Sequence, residues 1–170
     1  MDEGLLEERV SGTAKIELDE MVGLTKVKEV IGKAISNFKL KKLCMDKGIF
    51  KDKVSLHMVF SGNPGTAKTT VARLFAEIMK DEKVLSSGKF VEVGRADLVG
   101  NIVGSTAPLV KKKFREAQGG VLFVDEAYSL SNPSSKDFGK EAIATLIKAM
   151  EDHSDEFVVI FAGYRREMED

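Results

Sequence analysis

The sequence predicts an α/β fold in which a parallel sheet is covered by helices on both faces. Three observations carry this. Short apolar runs recur along the chain, "SLHMVF", "KFVEV", "VLFV" and "FVVIFA". Segments with helical spacing of apolar residues separate them. The runs lack the in–out alternation of a strand with one wet face, so they read as strands buried on both sides. Ligands in such folds sit at the carboxyl ends of the strands. The residues that follow Phe60, Val93, Val124 and Ala162 are therefore the places to look for chemistry.

The elements follow in order. Residues 1–20 hold seven acids (Asp2, Glu3, Glu7, Glu8, Glu17, Asp19, Glu20) against Arg9 and Lys15, with weak periodicity. They read as a loose acidic leader. Leu24, Val27, Val30, Ile31, Ala34, Ile35, Phe38 and Cys44 recur at helical spacing, with Thr25 as N-cap and Gly48 as the stop. The strand "SLHMVF" comes next. Val71, Leu74, Phe75, Ile78 and Met79 mark one face of a helix that starts near Lys68. After the strand "KFVEV", Val110, Phe114 and Ala117 mark a helix with Pro108 in its first turn and Gly119 past its end. "VLFV" is followed by a helix carrying Ile143, Leu146, Ile147 and Met150, and then by "FVVIFA".

Composition narrows the class. With 170 residues there is enough chain for one domain with a real core. A formal net charge of -1 excludes a generic polyanion binder. Nine lysines lie between residues 26 and 53, and of the two aromatic residues among them Phe38 belongs to the apolar stripe and Phe50 stands alone, so no aromatic series interleaves for base stacking. They read as a solvated helix face, as do Lys111, Lys112, Lys113 and Arg115, and nucleic acid is not an expected partner. The lone Cys44 excludes an intrachain disulfide. The first residues lack a secretory pattern, and no apolar run is long enough to span a bilayer. The expected location is the cytoplasm. His57 reads as a packed histidine and His153 as an exposed one, and the two with Cys44 make no metal-ligand cluster.

Two stretches carry chemistry. After Phe60 comes "GNPGTAKTT", Gly62, Asn63, Pro64, Gly65, Thr66, Ala67, Lys68, Thr69 and Thr70. It follows the phosphate-loop pattern G-x-x-x-x-G-K-[ST], except that Ala67 stands at the second glycine. Glycines let successive N–H groups point into one concavity, and the helix that follows adds its positive end. Lys68 can reach β- and γ-phosphates, and the Thr69 hydroxyl can ligate Mg²⁺. Ala67 costs little if its backbone is helix-like. After Val124 comes "DEAYSL". Asp125 can hold Mg²⁺ through water, and the adjacent Glu126 can orient or deprotonate an attacking water.

With these residues in place, the chain resembles the AAA+ ATPases. "GNPGTAKTT", "VLFVDEAYSL" and "FVVIFAGYRREM" look like the family's Walker A, Walker B and sensor 1 regions. More narrowly, "LDEMVGLTKVKEVI", "VGRADLVG", "VDEAYSL" and "AGYRREM" are similar to the branch that holds the stage V sporulation protein K and the red-type Rubisco activase. The likeness covers roughly residues 16–168.

The resemblance implies a three-layer P-loop fold over residues 21–170, the large subdomain of an AAA+ ATPase. It implies ATP or ADP with Mg²⁺ as cofactors, and a ring, a hexamer, that couples hydrolysis to remodelling of a protein partner. It implies that Val22 and Gly23, in "MVGL", lie near the adenine. It puts Tyr164 at the catalytic sensor 1 place, where most members carry a polar residue. It puts Ile102, in "LVGNIVG", where the pore loop usually carries an aromatic residue. The family sheet has order 5-1-4-3-2. A fifth strand, the arginine finger and a helical lid are expected beyond Asp170, which leaves the first strand at an open edge. This chain by itself is then expected to be monomeric and inactive. Two other readings stand beside this one: a nucleotide-binding assembly module with little hydrolysis, and a small-molecule kinase, against which the Asp125–Glu126 pair argues.

Overall fold

The four apolar runs become four parallel strands: β1 (Met58–Ser61), β2 (Phe90–Val93), β3 (Val121–Val124) and β4 (Val158–Gly163). Their order is β1-β4-β3-β2. The structure is a computed structural model and describes residues 12–49, 56–63, 65–131, 138–153, 157–164 and 168. Successive side chains of a strand point to opposite faces, so β3 feeds two cores. Val121 and Phe123 pack on one face with Phe75, Met79 and Ile160. Leu122 and Val124 pack on the other with Val110, Phe114, Leu146 and Val159. All four β3 residues are fully buried, which is why the run is continuously apolar.

The helices of the first face are α1 (Thr13–Glu20), α2 (Thr25–Asp46) and α3 (Lys68–Asp81). The other face carries α4 (Arg95–Leu98), α5 (Thr106–Ala117) and α6 (Phe138–Asp152), with a 3₁₀ turn at Ala127–Ser131. The sheet order is the one the resemblance implies. Among the described residues β1 stands at an edge and pairs with β4 alone. It departs from the sequence reading in one respect. Val59 is 63% exposed, because α5 packs over β2 and β3 and leaves that face of β1 open.

The acidic leader needs correcting in part. Residues 1–11 lie outside the described residues. Thr13–Glu20, however, form a helix packed on α3, with Ala14 and Leu18 buried in the core. The Gly12 N–H donates to the Asp81 carboxylate at 2.7 Å, tying the start of α1 to the end of α3. Two apolar residues four apart were enough to dock one turn-pair, although the acids around them masked the periodicity.

In α2, Ile31 and Phe38 face the core, and Phe38 meets Phe75 edge to face at 6.4 Å. The rest of the predicted stripe is looser, with Val30 60% exposed. Leu24 is the N-cap and Thr25 the first helical residue. Gly48 ends the helix as expected, at φ 68° with its N–H on the Met45 carbonyl. Two lysines of this helix do more than solvate it. Lys39 pairs with Glu82, and Lys42 donates to the Lys83 and Val84 carbonyls just past the end of α3. Among the described residues no helix is long and apolar enough to cross a membrane, and no cluster of His, Cys, Asp and Glu could hold a metal ion.

His57 is the packed histidine that the sequence indicated. The Val159 N–H donates to its Nδ1 at 3.0 Å, so that nitrogen carries no proton. Nε2 lies 3.5 Å from the Met150 carbonyl. Burial lowers its pKa below the ordinary value, against a smaller raising effect of the Met150 contact.

Two outcomes follow from this packing. Leu18→Ala should cost about 2–5 kcal/mol of stability, while Ile16→Ala, on the exposed side of the same helix, should change it by under about 0.5 kcal/mol. Urea unfolding of both variants checks whether α1 belongs to the fold. For His57 the unfolded chain takes up a proton first, so its contribution is complete above about pH 6.5 and is lost as pH falls below that value. His57→Gln should flatten this acid-side loss in urea midpoints measured between about pH 7.5 and about pH 5.

Candidate functional site

β1 ends at Ser61, and α3 begins at Lys68. The intervening loop is anchored at its base, where the Gly62 N–H donates to the Gly163 carbonyl at 3.2 Å and carries the β1–β4 ladder one step further. A Cβ at residue 62 would stand 2.9 Å from the Thr66 hydroxyl oxygen, so the bend needs a glycine there. Thr66 Oγ1 donates to the Asn63 carbonyl at 2.8 Å and closes the loop on itself. Gly65 takes φ 75°, and Pro64 lies outside the described residues.

Ala67 corrects an expectation. It is not helix-like; it sits at φ 57° and ψ 28°, in the left-handed region, as the N-cap of α3. The loop must reverse there to aim its N–H groups inward, and the methyl group does not prevent it. A side chain in this region costs roughly 1–2 kcal/mol. The missing glycine of the pattern is therefore a strained residue, not a neutral replacement.

The carboxylates come from the end of β3. The Asp125 N–H donates to the Val93 carbonyl at 2.9 Å, so the residue is still held by the sheet. Its Oδ1 accepts the Glu126 N–H at 2.9 Å. Glu126 itself takes φ 47°, a second strained side chain next to the first. Strain of this kind persists where the surroundings over-determine it, and it gathers at functional sites.

These pieces meet at one cavity of about 290 Å³, lined by residues 65–70, Asp125, Glu126, Gly163 and Tyr164. Lys68 reaches back across the loop, donating to the Gly62 carbonyl at 3.0 Å and the Asn63 carbonyl at 3.1 Å. Its ammonium lies 5.3 Å from the centre of the Tyr164 ring. Tyr164 stacks at 5.8 Å on Tyr128. The oxygens of Thr69 and Asp125 on a common wall are hard donors of the kind Mg²⁺ takes when phosphate and water complete its shell.

Not every expected residue joins them. Val22 and Gly23 sit in the turn between α1 and α2, outside the lining of the cavity, with Val22 97% exposed. Ile102 and Val103 project into solvent, 73% and 84% exposed. Their turn is pinned from behind, since Ser105 bonds the Ile102 carbonyl through its N–H and hydroxyl, and the Gly100 N–H donates to the buried Thr106 hydroxyl. Sequence reasoning missed Gly163 and Tyr128. A Cβ at 163 would lie 2.7 Å from the Met168 sulfur and 3.0 Å from the Tyr128 ring, so that glycine makes room for both side chains. The only sequence sign was a glycine directly before a tyrosine at a strand end.

A glycine-bent loop between an edge strand and a helix, facing an aspartate–glutamate pair at the end of the strand two places away in the sheet, defines a phosphate-loop NTPase domain. The chain belongs to the ATPase family associated with various cellular activities (AAA), which its residues 58–170 match. It is 46% identical over 153 residues to the stage V sporulation protein K of Bacillus subtilis (strain 168), covering 90% of this chain and 48% of that protein. It is 42% identical over 151 residues to the chloroplastic ribulose bisphosphate carboxylase/oxygenase activase of Cyanidioschyzon merolae (strain NIES-3377 / 10D), covering 88% and 52%. To the protein CbbX of Cereibacter sphaeroides it is 43% identical over 155 residues, covering 90% and 50%. These relatives belong to the branch that the sequence resembles, and the chain spans about half their length.

The strain at residue 67 has a measurable consequence. Ala67→Gly relieves the left-handed side chain but loosens the unfolded chain, so the net gain in stability should be up to about 1 kcal/mol. A higher urea midpoint with an unchanged slope is the expected result; a lower midpoint would contradict the backbone assignment.

Proposed function

We propose that this chain is the ATP-binding domain of a ring-forming ATPase that couples Mg-ATP hydrolysis to the remodelling of a protein partner. The observation that carries the reading is the convergence of Lys68, Thr69, Asp125 and Glu126 on one cavity at the carboxyl ends of the strands. The loop from Gly62 to Thr70 cradles the phosphates with its N–H groups, and the start of α3 adds its positive end. Lys68 supplies the cation. Thr69 and Asp125 would hold Mg²⁺, and the ion would supply positive charge next to the phosphates. Glu126 holds the attacking water and accepts its proton. Tyr164 stands at the sensor 1 position, facing the phosphates. Val22 and Gly23 meet the adenine, and the exposure of Val22 leaves an apolar surface for the base to cover.

Ile102 and Val103 are the proposed contact with the protein partner, held out on a pinned turn. One relative is named as an activase of ribulose bisphosphate carboxylase/oxygenase, a protein target, which supports this class of substrate. The ring is a hexamer of the longer protein, in the cytoplasm. This chain alone is monomeric and hydrolyses ATP negligibly, because a neighbour's arginine is worth about 10³ to 10⁵ in rate in phosphoryl transfer. The strain at Ala67 favours a second reading, an assembly module that binds nucleotide with little turnover. The ATPase rate of the full-length protein, with and without a protein partner, separates the two.

Lys68→Ala removes the principal cation facing the phosphates and should weaken ADP binding by at least about ten- to a hundredfold. Unchanged affinity by calorimetry would refute the phosphate-loop reading. In the full-length protein, Glu126→Gln should keep nucleotide binding and lose hydrolysis, since the amide keeps the shape but accepts no proton. Turnover equal to the parent's would remove Glu126 from its role.

A further inference from the structure

The aromatic pair beside Lys68 has no part in the phosphate-loop pattern. Lys68 is half-buried, and its ammonium is occupied in three directions: by the Gly62 carbonyl at 3.0 Å, by the Asn63 carbonyl at 3.1 Å and by the face of Tyr164 at 5.3 Å. A cation within about 6 Å of a ring centre is attracted by the negative face of the ring. Tyr164 follows Gly163, whose carbonyl accepts the Gly62 N–H at the base of the same loop. Its other neighbour is the Tyr128 ring, tilted by 33° at 5.8 Å, which rises from the 3₁₀ turn directly after Asp125 and Glu126. Tyr164 thus touches the phosphate-loop cation on one side and the carboxylate segment, through Tyr128, on the other.

We infer that Tyr164, braced by Tyr128, is a positioning residue that holds Lys68 folded back on its own loop and so lowers the affinity of the site for phosphates. The inference rests on the nucleotide reading above. Its sign follows from the charges. The ring attracts a bare ammonium, but the attraction weakens once phosphate neutralises that cation, and the negative face of the ring then lies towards phosphate oxygens. The contact is therefore worth more in the empty site than in the filled one, and only such a difference between states can move an affinity. The face of the ring carries the effect, whereas a sensor 1 role would use the hydroxyl.

The test is calorimetric titration of this chain with ADP and with pyrophosphate. Tyr164→Leu, which fills the space without an aromatic face, should tighten both by about two- to fivefold. Tyr164→Phe, which keeps the face and drops the hydroxyl, should bind neither ligand more tightly than the parent. Tyr128→Leu should shift affinity in the same direction as Tyr164→Leu, by less. A second readout is available because the chain has only 2 tyrosines and no tryptophan. In Tyr128→Phe the emission comes from Tyr164 alone, and it should change on saturation with pyrophosphate but not with adenosine. Equal or weaker binding by Tyr164→Leu, a Phe variant that behaves like Leu, or Tyr164 emission indifferent to bound pyrophosphate would each overturn the inference while leaving the nucleotide reading intact. Absence of ADP binding by the parent chain would overturn both.

Discussion

The pairing of β1 with β4 is the constraint on which the site depends. These strands are far apart in sequence, and each ends in a segment that lines the cavity. Their ladder runs from Met58 against Ile160 to Ser61 against Gly163, and the Gly62 N–H adds one more bond to the Gly163 carbonyl. That last bond sets the height of the phosphate loop relative to Tyr164. β3 does the same for the carboxylates, because it lies beside β4 and its ladder to β2 continues through the Asp125 N–H. A parallel sheet places all strand ends on one side, so three loops remote in sequence converge there without any contact designed among them.

Around this frame the backbone is under local strain. Ala67 and Glu126 both take left-handed conformations, one in the phosphate loop and one in the carboxylate segment. Each follows or precedes a residue whose direction matters more than its own comfort: Ala67 turns the chain so that Lys68 can open α3, and Glu126 turns it directly after Asp125 leaves β3. The cost is of order 1–2 kcal/mol at each. It is sustained by the fully buried strands and the two cores beneath.

The two faces are covered unequally. β3 is buried throughout, while β1 at the edge exposes Val59. On the other side of the sheet, α1 and α2 extend the core outward over α3, through Leu18, Ile31 and Phe38. Lys39 and Lys42 fasten α2 to the end of α3 and to the turn after it. The helix that starts at the phosphate loop is thus held at its far end as well, so that its N-terminus presents a fixed set of N–H groups.

The amino-acid sequence by itself determined the α/β class, the four strands and the principal helices, and it singled out Lys68, Thr69, Asp125 and Glu126, which the fold brings to one cavity. It could do so because burial on two faces demands continuous apolar runs, and because phosphate chemistry demands a narrow set of residue types at set spacing. The likeness to the family added the strand order. The sequence misread the first helix, since two buried residues among acids leave little periodic signal, and it misjudged Ala67, since a backbone angle leaves no mark on composition. Only the tertiary structure decided that Tyr128 stacks on Tyr164 and that Tyr164 covers Lys68. Those contacts join segments that are distant along the chain, and they exist because β4 lies between β1 and β3; nothing local to any one of the three residues encodes them.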